Sequence, residues 1–502
     1  MLACRSQTGS TLKKMANFHV EHFGCRAARA DGEALAGHLR AWIADEPSPA
    51  DVVVVNTCSV TAEADRAARA FIRRTHRRNP AARIVVTGCY AQRAPEELAS
   101  MPGVSAVVGN SHKALVPEIV RAIARSAIAH GAAPAPRQPQ TLVPVASLAA
   151  ARPAQSSALA APIWADDRFA HSFLEEAPGA GPLAPGAQTR PNLKIQEGCG
   201  NRCTFCVIPQ TRGPSRSLPR AVVLRHVEAF VAAGGKELVL SGINLGQWGR
   251  DLAGPERGSL AELVRAILES TALARLRLSS IEPMDWNAEL IALLREFGGR
   301  RLARHAHLPL QSGSDAVLRR MHRRYRPWHY AARVDALRDA AGPALTLGAD
   351  VMVGFPGETD REFTETVDFL RSLPFGYLHL FPFSPRPETP GWTLHASTPV
   401  AAEAVEERMA TLRALAAEKT ATHRRQFVGR TLDVLTLRTP GEAVARECTA
   451  ALTDNFLPVE IAGRCAPNQL LRVRVRSLNA EAALECLPAE AAAQGVAGIE
   501  SD

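Results

Sequence analysis

The densest concentration of chemistry in this sequence is GCGNRCTFCVIPQTRG, where Cys199, Cys203 and Cys206 are spaced C-x3-C-x2-C. Three thiolates in one short loop repel one another unless a cation holds them together. A zinc site ordinarily has a fourth ligand nearby, and none follows in this segment. A [4Fe–4S] cluster held by three cysteines leaves one iron open for a small molecule. Zinc, or three unrelated loop thiols, are the alternatives at this point. A second set is dispersed: Cys25 follows FHVEHFG, Cys58 follows DVVVVNT and Cys89 follows RIVVTG. Each falls just past the carboxyl end of a predicted strand. In an open parallel sheet those ends lie side by side and ligands bind outside them, so three distant thiols can meet at one point. The bland reading is three small buried side chains.

The elements that must position these residues follow from the pattern. Residues 16–125 alternate short β-rich runs with helical stretches such as AEADRAARAFIRRTHRRN, which predicts a doubly wound parallel sheet. Residues 126–190, rich in Ala, Pro, Gly and Gln, read as a linker or insertion with little packed structure. From 191 to 423 the alternation resumes. NLKIQEG, ELVLSGIN, RLRLSSIE, HAHLPLQSG, LTLGADVMVGF and LHLFPFS are strand candidates, with helices near 220–233, 259–270, 288–297, 314–323, 330–340 and 359–372. Six such units predict a partial (β/α)6 barrel with its site at the strands' carboxyl ends. An Arg/Glu/Ala-rich helix over 400–425 leads to 424–487, which reads as a small all-β barrel.

Bulk properties narrow the class. A chain of 502 residues needs several domains, and ten cysteines without an export signal argue against a disulfide framework. No apolar run is long enough to cross a bilayer, so a cytoplasmic protein with no membrane partner is expected. A formal charge of +9 favours polyanionic partners, although an arginine-rich solvated surface gives the same number. His305 and His307 alternate on one strand and so share a face, read here as structural histidines. VMVGFPGET lacks the lysine of a phosphate-binding loop.

With its aromatic Phe205 before the last cysteine, the triplet resembles the radical S-adenosylmethionine superfamily. VNTCSVTAEADRAAR, NPAARIVVTGCYAQ, LSGINLGQWGRDL, LRLSSIEP, LPLQSGSD and VMVGFPGET narrow the resemblance to the methylthiotransferases, above all to the branch acting on threonylcarbamoyladenosine in tRNA. The branches acting on isopentenyladenosine or on ribosomal protein S12 fit less well. The resemblance implies two [4Fe–4S] clusters, on Cys199, Cys203 and Cys206 and on Cys25, Cys58 and Cys89, with S-adenosylmethionine at the first. Cys199, Cys203 and Cys206 are then the catalytic set, with Phe205, Gly234 and Gly235 (in AGGKEL, a displaced form of the superfamily's Gly-Gly-Glu) as cofactor contacts. It also implies a C-terminal TRAM-like RNA-binding barrel, basic through Arg424, Arg425, Arg430, Arg472, Arg474 and Arg476. The implied partners are a tRNA anticodon stem-loop and an electron donor such as flavodoxin or ferredoxin. The sequence departs from the family at Ala28, where an asparagine is usual. An RNA-binding iron–sulfur electron carrier or redox sensor is the rival from another class, and it has no use for an open iron.

Overall fold

A computed structural model describes residues 17–24, 26–40, 44–45, 51–129, 160–169, 172–173, 188–479 and 483–488. Among these, 17–24, 34–58 and 63–173 form one compact unit, and 26–33, 59–62 and 188–488 form the other.

The first unit is built on β1 (Asn17–His22), β2 (Ala44–Asp45), β3 (Val52–Thr57), β4 (Arg83–Gly88), β5 (Val104–Gly109) and β6 (Ile163–Trp164), ordered β2-β1-β3-β4-β5-β6 and all parallel. β3 reads as an unbroken apolar run because it is covered on both faces. Val52 and Val54 pack with Leu35 and Leu39 of α1 (Arg26–Arg40), while Val53 and Val55 pack with Ala68 and Ile72 of α2 (Ala62–Arg78). The two short helices after β4, α3 (Cys89–Arg93) and α4 (Pro95–Ala99), lie on the α2 face, and α5 (Val116–Ala129) lies on the α1 face. Composition did not announce β6. It lies in the stretch expected to be unpacked, yet Ile163 pairs with Val107 and is buried in the core. The remainder of that stretch up to residue 187 is largely outside the described residues.

In the second unit, β7 (Asn192–Glu197), β8 (Arg216–Ser217), β9 (Glu237–Gly242) and β10 (Arg275–Leu278) form one sheet, and β11 (His305–His307), β12 (Thr346–Val353) and β13 (Tyr377–Pro382) another. Parallel bridges from Leu276 to Leu302 and from Ser280 to His307 join them into an arc of six parallel strands, with β8 as an antiparallel edge. The helices are α6 (Ile208–Arg212), α7 (Arg220–Ala232), α8 (Leu260–Ser270), α9 (Ala288–Phe297), α10 (Asp315–Arg320), α11 (Pro327–Ala341), α12 (Asp360–Ser372), α13 (Pro390–Ser397) and α14 (Ala402–Arg425). Capping boxes start α8 at Ser259 with Glu262 and α12 at Thr359 with Glu362.

The strands β14 (Thr431–Thr436), β15 (Cys448–Thr453), β16 (Pro458–Ala462), β17 (Leu470–Leu478) and β18 (Leu484–Pro488) close into a barrel. Its β15–β16 turn docks on the amino ends of the arc's strands. Arg304 forks onto Asp454 at 2.7 and 3.1 Å, and Arg277 donates to the Thr453 carbonyl at 3.0 Å. Phe456 lies against the ring of His305, 4.5 Å between centroids.

Candidate functional site

Cys199, Cys203 and Cys206 lie in the loop that leaves the carboxyl end of β7. The loop is braced from below. Gln196 donates to the carbonyls of Glu197 and Gly198 at 3.0 and 2.8 Å and to Ser215 Oγ at 2.9 Å. Glu197 holds Arg212 at 2.6 Å and also pairs with Lys194. Asp31 pairs with both cations, completing a fully buried four-residue network of zero net charge. Such a network is costly to break from one side, so it fixes the backbone on which the loop stands.

The thiols carry the marks of a cluster's donor set. Burial, with Cys203 and Cys199 close by, pushes the Cys206 thiol up to about 12, and burial raises Cys199 as well. Cys199 and Cys206 therefore resist ionising until a cation compensates them. Their sulfurs nevertheless receive N–H donors. Asn201 N and Asn244 Nδ2 lie 3.4 and 3.6 Å from Cys199 Sγ, and Arg323 Nη1 lies 3.2 Å from Cys203 Sγ. These residues fit an iron–sulfur cluster, whose sulfurs accept such bonds.

Beside Cys203 opens a cavity of about 360 Å³ lined by Gly200, Asn201, Arg202, Gln247, Glu282 and the segment His322–Arg324. Arg323 and Glu282 meet there at 2.6 Å. Burial opposes the Arg323 charge, but Tyr325 and Glu282 hold the guanidinium protonated well above its usual range. A cation and a carboxylate side by side match the two charged ends of an amino acid. At the carboxyl ends of the neighbouring strands, buried Ser241 Oγ, Asn244 Oδ1, Ser279 Oγ and Gln311 Oε1 have no hydrogen-bond partner. Buried polar atoms are costly to leave unpaired, so this row is prepared for a ligand. Gln311 also holds a strained backbone, with φ at 68°. Cavity, ion pair and orphaned atoms together suit a zwitterionic nucleoside such as S-adenosylmethionine.

Sequence reasoning missed Arg323, Glu282, Asn244 and Gln311. The helix expected over 314–323 ends at Arg320, and His322 turns the chain with φ at 54°, which returns Arg323 to Cys203. The signal was available: Asn244, Glu282 and Gln311 stand just past the carboxyl ends of β9, β10 and β11. Gly234 and Gly235 must be corrected. They precede β9 and so lie at the amino end of a strand parallel to β7, the end opposite the cysteine loop. The Gly234 carbonyl instead accepts from Asn468 of the small barrel, and Glu237 is buried against Arg190, Arg275 and Arg277. Phe205 is partly buried against Val317, Met321, Met352 and Phe355, forming an apolar wall beside the loop.

His305 and His307 do share a face. His305 bonds Tyr377 Oη at 2.8 Å, and His307 bonds Ser280 Oγ at 2.5 Å. Asp350 Oδ1 lies 3.3 Å from His307 and 3.2 Å from His379. Burial alone would raise the Asp350 pKa, but the two imidazoles hold its carboxyl well below the usual range.

In the first unit, Cys58 and Cys89 directly follow Thr57 and Gly88, which are register partners on β3 and β4. Both thiols are buried. Asn110 Nδ2 donates to Cys89 Sγ at 3.3 Å. Cys25 lies outside the described residues, but its neighbour Gly24 is placed. A Cβ on Gly24, whose φ is 106°, would stand 2.1 Å from Cys58 Cβ and 2.5 Å from its sulfur. The chain thus passes Cys58 at a distance only glycine permits.

Comparison with known proteins adds the following. Residues 193–370 match the Radical SAM superfamily, and residues 17–109 match the Uncharacterized protein family UPF0004. The chain is 33% identical to the threonylcarbamoyladenosine tRNA methylthiotransferase MtaB of Bacillus subtilis, over 89% of this chain and 91% of that one. It is 30% identical to the enzyme of the same name from Thermotoga maritima, over 94% and 97%. It is 35% identical to the tRNA-2-methylthio-N(6)-dimethylallyladenosine synthase of Sorangium cellulosum, over 84% and 82%. Among solved structures, the radical S-adenosylmethionine methyltransferase TsrM of Kitasatospora setae shares the fold at a TM-score of 0.51 and 15% identity, covering 75% of this chain and 77% of that one.

Proposed function

Because this chain belongs to the tRNA methylthiotransferases of the radical S-adenosylmethionine superfamily, we propose that it adds a methylthio group to C2 of N6-threonylcarbamoyladenosine at position 37, beside the anticodon. The observation that carries the reaction class is the convergence, past the strands' carboxyl ends, of three cysteines, the Arg323–Glu282 pair and a row of unpartnered buried polar atoms. The likeness of NTCSVTAEAD, GINLGQWG and RLSSIEP to the threonylcarbamoyladenosine branch supports the choice of substrate.

Enzymes of this family work with two [4Fe–4S] clusters and S-adenosylmethionine, which supply, when bound, a 5′-deoxyadenosyl radical and the methylthio group. In this chain Cys199, Cys203 and Cys206 would hold the first cluster, and Cys25, Cys58 and Cys89 the second. Arg323 would receive the carboxylate of S-adenosylmethionine and Glu282 its ammonium. Ser241, Asn244 and Gln311 would pair with its remaining polar edge. Phe205 and the apolar wall behind it would keep water from the reacting atoms. The arginines of the C-terminal barrel would track RNA phosphates while the anticodon-loop base, already unpaired, turns out of its stack. Flavodoxin or ferredoxin would supply electrons, in the cytoplasm. Among the described residues no helix is long and apolar enough to cross a membrane.

The test is a mass spectrum of tRNA nucleosides from a strain lacking the gene. The methylthio-threonylcarbamoyl nucleoside should disappear and its precursor accumulate. Persistence of that nucleoside with loss of the isopentenyl product, or of the modification on ribosomal protein S12, would reassign the substrate.

A further inference from the structure

Of the six tryptophans, Trp248 and Trp286 are completely buried, whereas Trp328 and Trp392 are 56% and 47% exposed. A side chain this large is ordinarily drawn into a core, so two left in solvent call for an explanation. Both lie on segments tied to one residue of the cysteine loop. Thr204, between Cys203 and Cys206, donates from its amide to the Met321 carbonyl at 3.2 Å and from its hydroxyl to the Arg320 carbonyl at 3.0 Å. From Met321 the chain runs through Arg323 to Trp328 in the first turn of α11. On the other side, the Thr204 carbonyl accepts from Gly391 N at 2.7 Å, and Trp392 is the next residue. Contact between these backbones is close: a Cβ on Gly391 would stand 3.0 Å from the Thr204 oxygen. Trp392 therefore adjoins the backbone of the cysteine loop, and Trp328 stands seven residues along the chain from the Met321 that holds the loop's other side.

The mouth of the cavity beside Cys203 is basic. Arg202, His322 and Arg324 are exposed and line the cavity that opens beside Cys203, and its one carboxylate, Glu282, is already paired with Arg323. Exposed aromatic faces next to unpaired cations are what unstacked nucleic-acid bases need: the rings stack and the cations meet phosphates.

We propose that Trp328 and Trp392 are stacking platforms for anticodon-loop nucleotides on either side of the target base, holding the loop open over the cavity beside Cys203. The inference rests on the tRNA-modifying reading above and adds a specific RNA-binding surface on the radical core, apart from the small C-terminal barrel. A stack on both flanks would take up the unstacking cost of turning the middle base outward.

The experiment measures binding of a fluorescein-labelled anticodon stem-loop RNA to anaerobically reconstituted, full-length enzyme by anisotropy. Wild type is compared with Trp328→Ala, Trp392→Ala, Trp328→Leu, Trp392→Leu and the Phe replacements. Each Ala or Leu variant should weaken binding about five- to a hundredfold, as loss of one base stack does, whereas Phe should restore most of it. Iron content and melting temperature identify any variant that has not folded, and the Leu series keeps apolar bulk without a stacking face. Wild-type binding with unchanged affinity in the Ala and Leu variants overturns the proposal alone. Failure of wild type to bind any anticodon stem-loop overturns the reading beneath it. Unchanged RNA affinity with slowed reduction by flavodoxin assigns the face to a protein reductant instead, and also overturns the proposal.

Discussion

The two cysteine sets solve one problem by different means. Cys199, Cys203 and Cys206 share a single loop, and their geometry is set within a few residues of backbone braced by Gln196, Glu197 and Arg212. Cys58 and Cys89 are brought together by the parallel pairing of β3 with β4, a contact between residues far apart in sequence. A local site is robust to distant change and legible from spacing. A dispersed one inherits every error of the sheet that assembles it.

The sharpest way to break this comparison is to remove one ligand from each set. Cys203→Ala should abolish reductive cleavage of S-adenosylmethionine, seen as loss of 5′-deoxyadenosine. Cys58→Ala should keep cleavage and lose the methylthio product. Each should retain about four of the roughly eight irons expected for two cubanes. Complete and equal loss of cleavage in both, with the fold intact, would erase the distinction.

Backbone substitution gives the next largest effect. Gly24→Ala places a methyl group 2.1 Å from Cys58 Cβ at a positive φ, so the dispersed site should lose its iron while the loop site keeps its own. Retention of all the iron, measured by Mössbauer or chemical assay, would show that this site tolerates backbone movement after all.

A charge remote from both sets sharpens the contrast. Glu237, fully buried, faces Arg190, Arg275 and Arg277. Burial alone would raise its pKa, but the three guanidiniums bring it down to about 2. Glu237→Gln should cost about 3–5 kcal/mol of stability by leaving three cations under-compensated. Urea unfolding measures this, and the iron stoichiometry of the folded fraction should not change.

The smallest effect concerns acid. Burial, with Arg424 beside it, lowers the His423 pKa to about 4 from its ordinary 6.5, so the folded state prefers the neutral ring. That ring bonds Thr346 at 2.8 Å and packs on Phe427, where α14 leads into the small barrel. Its stabilisation is fully present above pH 6.5 and is lost as the pH falls toward 4, by at most about 3 kcal/mol. His423→Gln should flatten the melting temperature across that window by a corresponding amount. An unchanged slope would remove His423 from the account.

How much of this was legible beforehand depended on range. β3 was readable because a strand covered on both faces must be apolar throughout. The six strands of the arc were readable from their spacing with helices. β6 was not, because two residues carry no periodicity and Ile163 becomes a strand residue only by pairing with Val107. Gly234 and Gly235 misled because a glycine pair looks the same at either end of a strand, and only the direction of β9 beside β7 distinguishes them.

The sequence by itself determined the chemistry of the loop, since three thiols within eight residues can be held together only by a shared partner or by accident. It also determined the order of parallel sheet, strand arc and small barrel, because periodicity is a local property. Only tertiary structure decided that Arg323 reaches Cys203 from beyond a helix, that Glu282 meets it there, and that Gly391, next to the exposed Trp392, bonds the same loop. Those meetings join separate βα units, and their separations are fixed by packing between units, which spacing along a chain does not encode.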